Sequence, residues 1–140
     1  MMYDPAELPV VLVKAWNLRL TATLTGIQLV FSGLVPETKL NKQYVQMKTL
    51  GPLVTEGNTD DQITFVVRLE CYSTFSNDIY SLDRLIGKAM TTLRGPIVLG
   101  IQDKCVRPTT CQVIKRGQAT KGTDLEVAIV EAQYSFELER

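Results

Sequence analysis

Three carboxylates stand close together in the middle of the sequence: Glu56, Asp60 and Asp61. Paired acids can act as a general acid and a nucleophile, and a set of carboxylate oxygens can hold a divalent cation. The D-x-D-x-D-G spacing of a calcium loop is absent, and Glu56 is the only further acid near the aspartate pair. All three residues lie in residues 51–62, a stretch rich in glycine, proline and other turn-forming residues. We therefore interpret them as the solvated, acidic tip of a long hairpin loop.

A second group of charged residues is basic and lies near the C-terminus: Lys115, Arg116 and Lys121. Cations at this spacing can contact nucleic acid phosphates, or they can keep an exposed strand edge from pairing wrongly. Aromatic residues that would stack on bases are not interleaved with them. The sequence therefore favours a strand edge or a protein interface over a nucleic-acid site.

The residues that most often carry catalysis are missing or scattered. The chain has no histidine, which removes serine-histidine and cysteine-histidine catalysis within the chain. Its three cysteines, Cys71, Cys105 and Cys111, have no C-x-x-C spacing, so we expect free thiols and no zinc ribbon. Glycine-rich phosphate loops are absent as well. We predict no enzymatic activity, no cofactor and no metal site.

The overall composition predicts a single domain over residues 1–140 with an ordinary core. Hydrophobic residues make up 45% of the chain, and 15 cations balance 15 acids. A net charge of zero provides no basic field for nucleic acid and does little to keep copies of the chain apart. No apolar run reaches the roughly 18 residues of a membrane span. Residues 1–9 carry no lysine or arginine, so we expect no secretory signal and no membrane association.

Two segments have the periodicity of helices. In residues 10–25, apolar residues recur every four positions, at Leu12, Trp16, Leu20 and Leu24. Residues 76–93 form the stronger helix, with a broad apolar face, Ser76 as the expected N-cap and Arg94-Gly95-Pro96 as the stop signal.

The remaining segments have the signatures of strands. The clearest is 63–72, in which Ile63, Phe65, Val67, Leu69 and Cys71 alternate with mostly polar residues. Further strands are predicted at 27–31, 44–50, 97–101, 111–120 and 125–138. The order α-β-β-β-α-β-β-β predicts an α+β fold, with a mostly antiparallel sheet and both helices packed on one face.

The best strand and the best helix should cover each other's apolar faces. We therefore predict a shared core, which contains Phe65, Val67, Leu69, Leu82, Ile86 and Met90. Trp16 and Cys71 also lie on apolar faces and should be core residues rather than site residues.

The order of these segments resembles the tail terminator (tail-completion) proteins of long-tailed bacteriophages. The resemblance is carried by five segments: QYVQMKTLG, ITFVVRLECYS, the helix SNDIYSLDRLIGKAMTTL, GPIVLGI and the final strand LEVAIVEAQYSFEL. It covers nearly the whole chain as a pattern of elements, without a diagnostic motif. The N-terminal stretch departs from the pattern, since its threonine-rich end is weak for an opening helix.

The resemblance implies a structural virion protein, made in the host cytoplasm, that assembles into a hexameric ring. Such a ring caps the finished tail tube and joins it to the head-completion or connector proteins of the neck. DNA passes through the lumen without specific binding. The resemblance makes loop 51–62 the candidate lumen or ring contact. Complementary charge, and not the resemblance, makes the acidic and basic groups the candidate interface residues: Glu56, Asp60, Asp61, Lys115, Arg116 and Lys121.

Two alternatives stay open at this point. Another phage neck, head-completion or baseplate protein has the same size and class. A small ligand-binding or enzymatic α+β domain would need a polar pocket with converging acid and base groups.

Overall fold

The computed structural model describes residues 3–31, 43–74, 80–119 and 124–140. Helix α1 spans Leu8–Thr23 and helix α2 spans Ser81–Arg94. The strands are β1 (Gln28–Val30), β2 (Gln43–Glu56), β3 (Asp60–Thr74), β4 (Ile97–Val98), β5 (Cys105–Val106), β6 (Thr110–Gln118) and β7 (Leu125–Glu139).

Helix α1 packs along the predicted apolar stripe. Leu12, Trp16, Leu20 and Leu24 are all at most 2% exposed. The helix begins two residues before the predicted start and ends two residues before the predicted end. Gly26 follows with a φ of 78°, a conformation that glycine adopts without steric cost.

Helix α2 ends at the predicted position. It begins at Ser81 with Tyr80 at the N-cap position, and the predicted cap, Ser76, lies outside the described residues. Its apolar face is buried as predicted, and the helix ends at Arg94, just before Gly95 and Pro96. The stop signal is therefore confirmed.

The main sheet has five strands in the order β1-β2-β3-β7-β6. Strand β1 is parallel to β2, and every other pairing in this sheet is antiparallel. Strands β4 and β5 form a separate two-stranded ribbon. The predicted α+β class, with its mostly antiparallel sheet and its element order, is confirmed, and the short β5 adds one element.

The predicted loop 51–62 is wrong. Strand β2 continues to Glu56 and β3 already begins at Asp60, so only residues 57–59 connect them. A shift of register between Leu50 and Leu53 accommodates Gly51 and Pro52 within the ladder. Such a bulge lets a strand continue through residues that would otherwise end it.

The core lies between the sheet and the helices. Phe65, Val67, Leu69, Leu82 and Ile86 are buried together as predicted, and Met90 is partly buried against them. Trp16 and Cys71 are fully buried, which confirms both as core residues. Neither helix in the described part of the chain combines the length and the hydropathy needed to cross a membrane.

Candidate interaction surfaces

The three predicted tip acids occupy different environments. Glu56 ends β2 and is exposed, whereas Asp60 begins β3 and is half-buried. Asp61 is only 4% exposed, because its position in β3 turns the side chain to the sheet face that the helices cover. The interpretation of all three as a solvated tip is therefore wrong for Asp61.

Asp61 is held by residues from both ends of the chain. Tyr3 donates a hydrogen bond of 2.5 Å from its hydroxyl to Asp61 Oδ2, and Arg140 Nε lies 3.3 Å from Asp61 Oδ1. The Arg140 guanidinium also donates to the carbonyl oxygens of Gly57 and Asn58 in the hairpin turn. Partial burial and the bond to Asp61 raise the pKa of Tyr3 to about 12. The network joins both chain ends to the tip of the β2–β3 hairpin.

This network should contribute measurably to stability. Replacing Arg140 with alanine leaves the buried Asp61 carboxylate one partner short, and this should lower the free energy of unfolding by about 1–3 kcal/mol. Replacing the exposed Glu56 with alanine should change it by no more than about 0.5 kcal/mol. Urea unfolding at a low chain concentration measures both. Equal losses in the two variants would show that the Asp61 network does not stabilise the fold.

Lys115 and Arg116 do not form one patch. Lys115 and Arg116 are both exposed on β6, but they are paired with Ile129 and Ala128 of β7, which face opposite sides of the sheet. Arg116 Nη1 makes an ion pair of 2.6 Å with Asp83 of its own α2. Lys121 lies outside the described residues. Arg116 therefore already has a partner within the chain.

The sheet face away from the helices carries paired charges. Lys48 Nζ lies 3.0 Å from Glu70 Oε2, and Arg68 Nε lies 2.5 Å from Glu131 Oε2. Tyr44 and Tyr72 stack beside these pairs, with ring centroids 4.5 Å apart. The middle of this face is polar, and the charges of its two ion pairs compensate each other.

A groove of about 510 Å³ runs between α1 and residues 96–100. We call it the helix groove. Leu18 and Val98 line it and are 73% and 70% exposed, while Lys14 and Arg19 are the charged residues of its lining. The sequence analysis missed Leu18, although it stands off the apolar stripe of α1 among polar neighbours, which is a signal of an apolar surface residue.

A second apolar surface lies on the outer half of β2. Leu50 and Leu53 are 51% and 66% exposed. Leu50 is paired with Val66 and Leu53 with Thr64, positions of β3 that point away from the helices. Acids at the end of the sheet lie on the same face: Asp60, Glu137 and Glu139. We call these five residues the hairpin end.

Charge is segregated between the layers although the chain as a whole is neutral. The two helices together contain five cations and a single acid, Asp83, which is bound to Arg116. Strand β7 contains four acids and no cation. The helix layer is therefore basic and the sheet end is acidic.

The cysteines and acids do not converge on a metal site. Among the described residues, no group of three or more histidine, cysteine, aspartate or glutamate side chains is placed to hold a metal ion. Cys71 is buried, Cys111 is half-buried and Cys105 is exposed, and all three are free thiols.

Comparison with known proteins informs the fold alone. No model of a protein family matches the sequence, and no curated protein matches it. Solved structures do match: one chain aligns over 94% of this chain and 97% of its own length, with a TM-score of 0.62 and 12% sequence identity. The chain thus shares its α+β fold with a solved protein of similar extent.

Proposed function

We propose that the chain is a tail terminator of a long-tailed bacteriophage, in which six copies close into a ring that caps the tail tube and joins it to the neck. The proposal rests on the resemblance of the element order and on one structural observation. Two exposed apolar surfaces, the helix groove and the hairpin end, lie on opposite faces of the chain and carry opposite charges. Exposed apolar surfaces of this kind mark sites of association.

The charge distribution supports a structural role beside DNA rather than sequence-specific binding to it. Attraction of phosphates requires cations that release counterions on binding. On the open sheet face, Lys48 and Arg68 are already paired with Glu70 and Glu131. A ring with such a face toward its lumen would let DNA pass without holding it. The fold would then supply a neutral channel wall and leave the joining of tail and head to other surfaces.

Two other functions compete with this one. Another neck, head-completion or baseplate component would use the same exposed surfaces for a different neighbour. A ligand-binding domain is favoured by one observation, because the helix groove of about 510 Å³ falls within the usual size of a small-molecule site. Its lining is predominantly apolar and offers two cations, Lys14 and Arg19, to orient a ligand.

The mass of the purified protein in solution distinguishes the ring from the ligand-binding domain. We expect native mass spectrometry to give about six times the chain mass of 15.6 kDa, and negative-stain electron microscopy to show rings of one diameter. In virions that contain the protein, antibody labelling should mark the junction of tail and head. A protein that stays monomeric at high concentration and is absent from tail preparations would contradict the proposal. Labelling at the baseplate would favour the neighbouring structural role.

A further inference from the structure

The helix groove and the hairpin end complement each other in both polarity and charge. The groove presents Leu18 and Val98 beside Lys14 and Arg19. The hairpin end presents Leu50 and Leu53 together with acids at the end of the sheet. An apolar contact that is flanked by opposite charges gains affinity from the buried apolar area and fixes its register by charge pairing.

One chain cannot bring these two surfaces together. The groove lies on the helix layer, whereas Leu50 and Leu53 project from the opposite face of the sheet. Strand β3 is paired with β7 along all fifteen of its residues, so the hairpin is a fixed part of the sheet and does not swing as an arm. The Asp61 network also holds the hairpin tip to the chain ends.

We propose that the hairpin end of one copy docks in the helix groove of the next copy. The contact joins two different surfaces, so each added copy leaves one groove and one hairpin end free until the last copy meets the first. Leu53 enters the apolar part of the groove beside Leu18 and Val98. Glu137, which lies on the same face of the sheet as Leu53, faces Lys14 at the edge of the groove. This inference deepens the proposed function, on which it rests, because it names the surfaces that close the ring.

Single substitutions on the two surfaces should break the ring in a way that identifies the contact. Leu18→Asp makes the groove unable to bind, and Leu53→Asp does the same to the hairpin end. Both positions are exposed, so both variants should still fold as monomers. Each variant alone should be monomeric, since a carboxylate buried without a partner should weaken the contact on the order of a hundredfold. Mixed in equal amounts, the two variants retain one intact groove and one intact hairpin end and should form a dimer that grows no further.

A charge exchange tests the pairing independently. Lys14→Glu alone and Glu137→Lys alone should each weaken assembly, and the chain that carries both substitutions should recover it. Val10→Asp, on an exposed position of α1 outside the groove, and Ile114→Asp, on the exposed strand β6, are the matched controls and should leave rings intact. Circular dichroism confirms that each variant is folded.

The outcomes separate failure of the inference from failure of the proposed function. Rings that persist in Leu18→Asp and Leu53→Asp would overturn the inference while leaving the ring itself established. A wild-type chain that is monomeric at every concentration would overturn both. A wild-type monomer that binds a small apolar acid, with loss of binding in Leu18→Asp alone, would assign the groove to a ligand instead of to a second copy.

Discussion

Replacing Phe65 with alanine should lower the free energy of unfolding by about 3–5 kcal/mol. The Phe65 ring is fully buried on β3, with its centroid 5.0 Å from that of Trp16 on α1. Trp16 in turn meets Tyr134 of β7 edge-on at 4.8 Å. The Tyr134 hydroxyl donates a hydrogen bond of 2.7 Å to the carbonyl of Leu93 at the end of α2. Loss of the Phe65 ring thus leaves a cavity at the point where both helices meet the sheet.

Urea unfolding followed by the fluorescence of Trp16, the sole tryptophan of the chain, measures this loss. The matched control is Leu18→Ala on the exposed side of the same helix, which should cost no more than about 0.5 kcal/mol when the chain is dilute and monomeric. A Phe65→Ala variant that lost less than about 1 kcal/mol would show that the aromatic cluster is not the centre of the core.

The core could be predicted because its signals are local and long. Strand β3 alternates over ten residues and α2 repeats its apolar residues over several turns, so each pattern fixes which face must be covered. That the apolar faces of β3 and α2 cover each other can be inferred without knowing the topology of the fold. Met90, at the edge of the apolar face of α2, is partly buried.

The hairpin could not be predicted from its own residues. Gly51, Pro52, Gly57 and Asn58 are turn formers, and only the last two lie in the turn. The extended conformation of residues 60–62 is imposed by pairing with residues 137–139 of β7, far away in the sequence. The local composition of these residues gives no information about a pairing partner on β7. Pairing with that strand, rather than local turn propensity, determines their conformation.

Some properties of the surfaces can be predicted from the sequence, and others cannot. Counting charges by element already separates the basic helices from the acidic final strand, which the neutral total conceals. The burial of Asp61 could not be predicted from the sequence, because its partners Tyr3 and Arg140 are far from it along the chain. The pairing of Arg116 with Asp83, 33 positions away, could not be predicted either, and it gives one cation of the suggested interface a partner within the chain.

Stability should fall steeply at alkaline pH and stay level near neutrality. Burial raises the pKa of Cys71 to about 12, and burial together with the hydrogen bond to Asp61 raises that of Tyr3 to about 12. Burial likewise raises the pKa of Tyr72 and Tyr134. A group whose folded pKa is raised stabilises the fold fully below its unfolded pKa, and this contribution is lost as the pH rises toward the folded value. Without histidine, no side chain with an ordinary pKa near 6.5 is present to change the stability between pH 6 and 8.

Tyr134 is the clearest test of this alkaline loss. A group with a raised folded pKa removes at most about 1.4 kcal/mol per pH unit between its unfolded and folded pKa, so the stability of the wild-type chain should decline progressively above about pH 9. Tyr134→Phe should cost about 1 kcal/mol at pH 7, through the lost bond to Leu93, yet decline less steeply above pH 10. Phe136 is a buried neighbour on the same strand that does not ionise. The free energy of unfolding of Phe136→Leu should therefore lie below that of the wild type by the same amount at every pH. Urea unfolding at pH 7, 10 and 11 compares the three curves. If Tyr134→Phe ran parallel to the wild type up to pH 11, the protonated Tyr134 hydroxyl would not be a source of the alkaline loss.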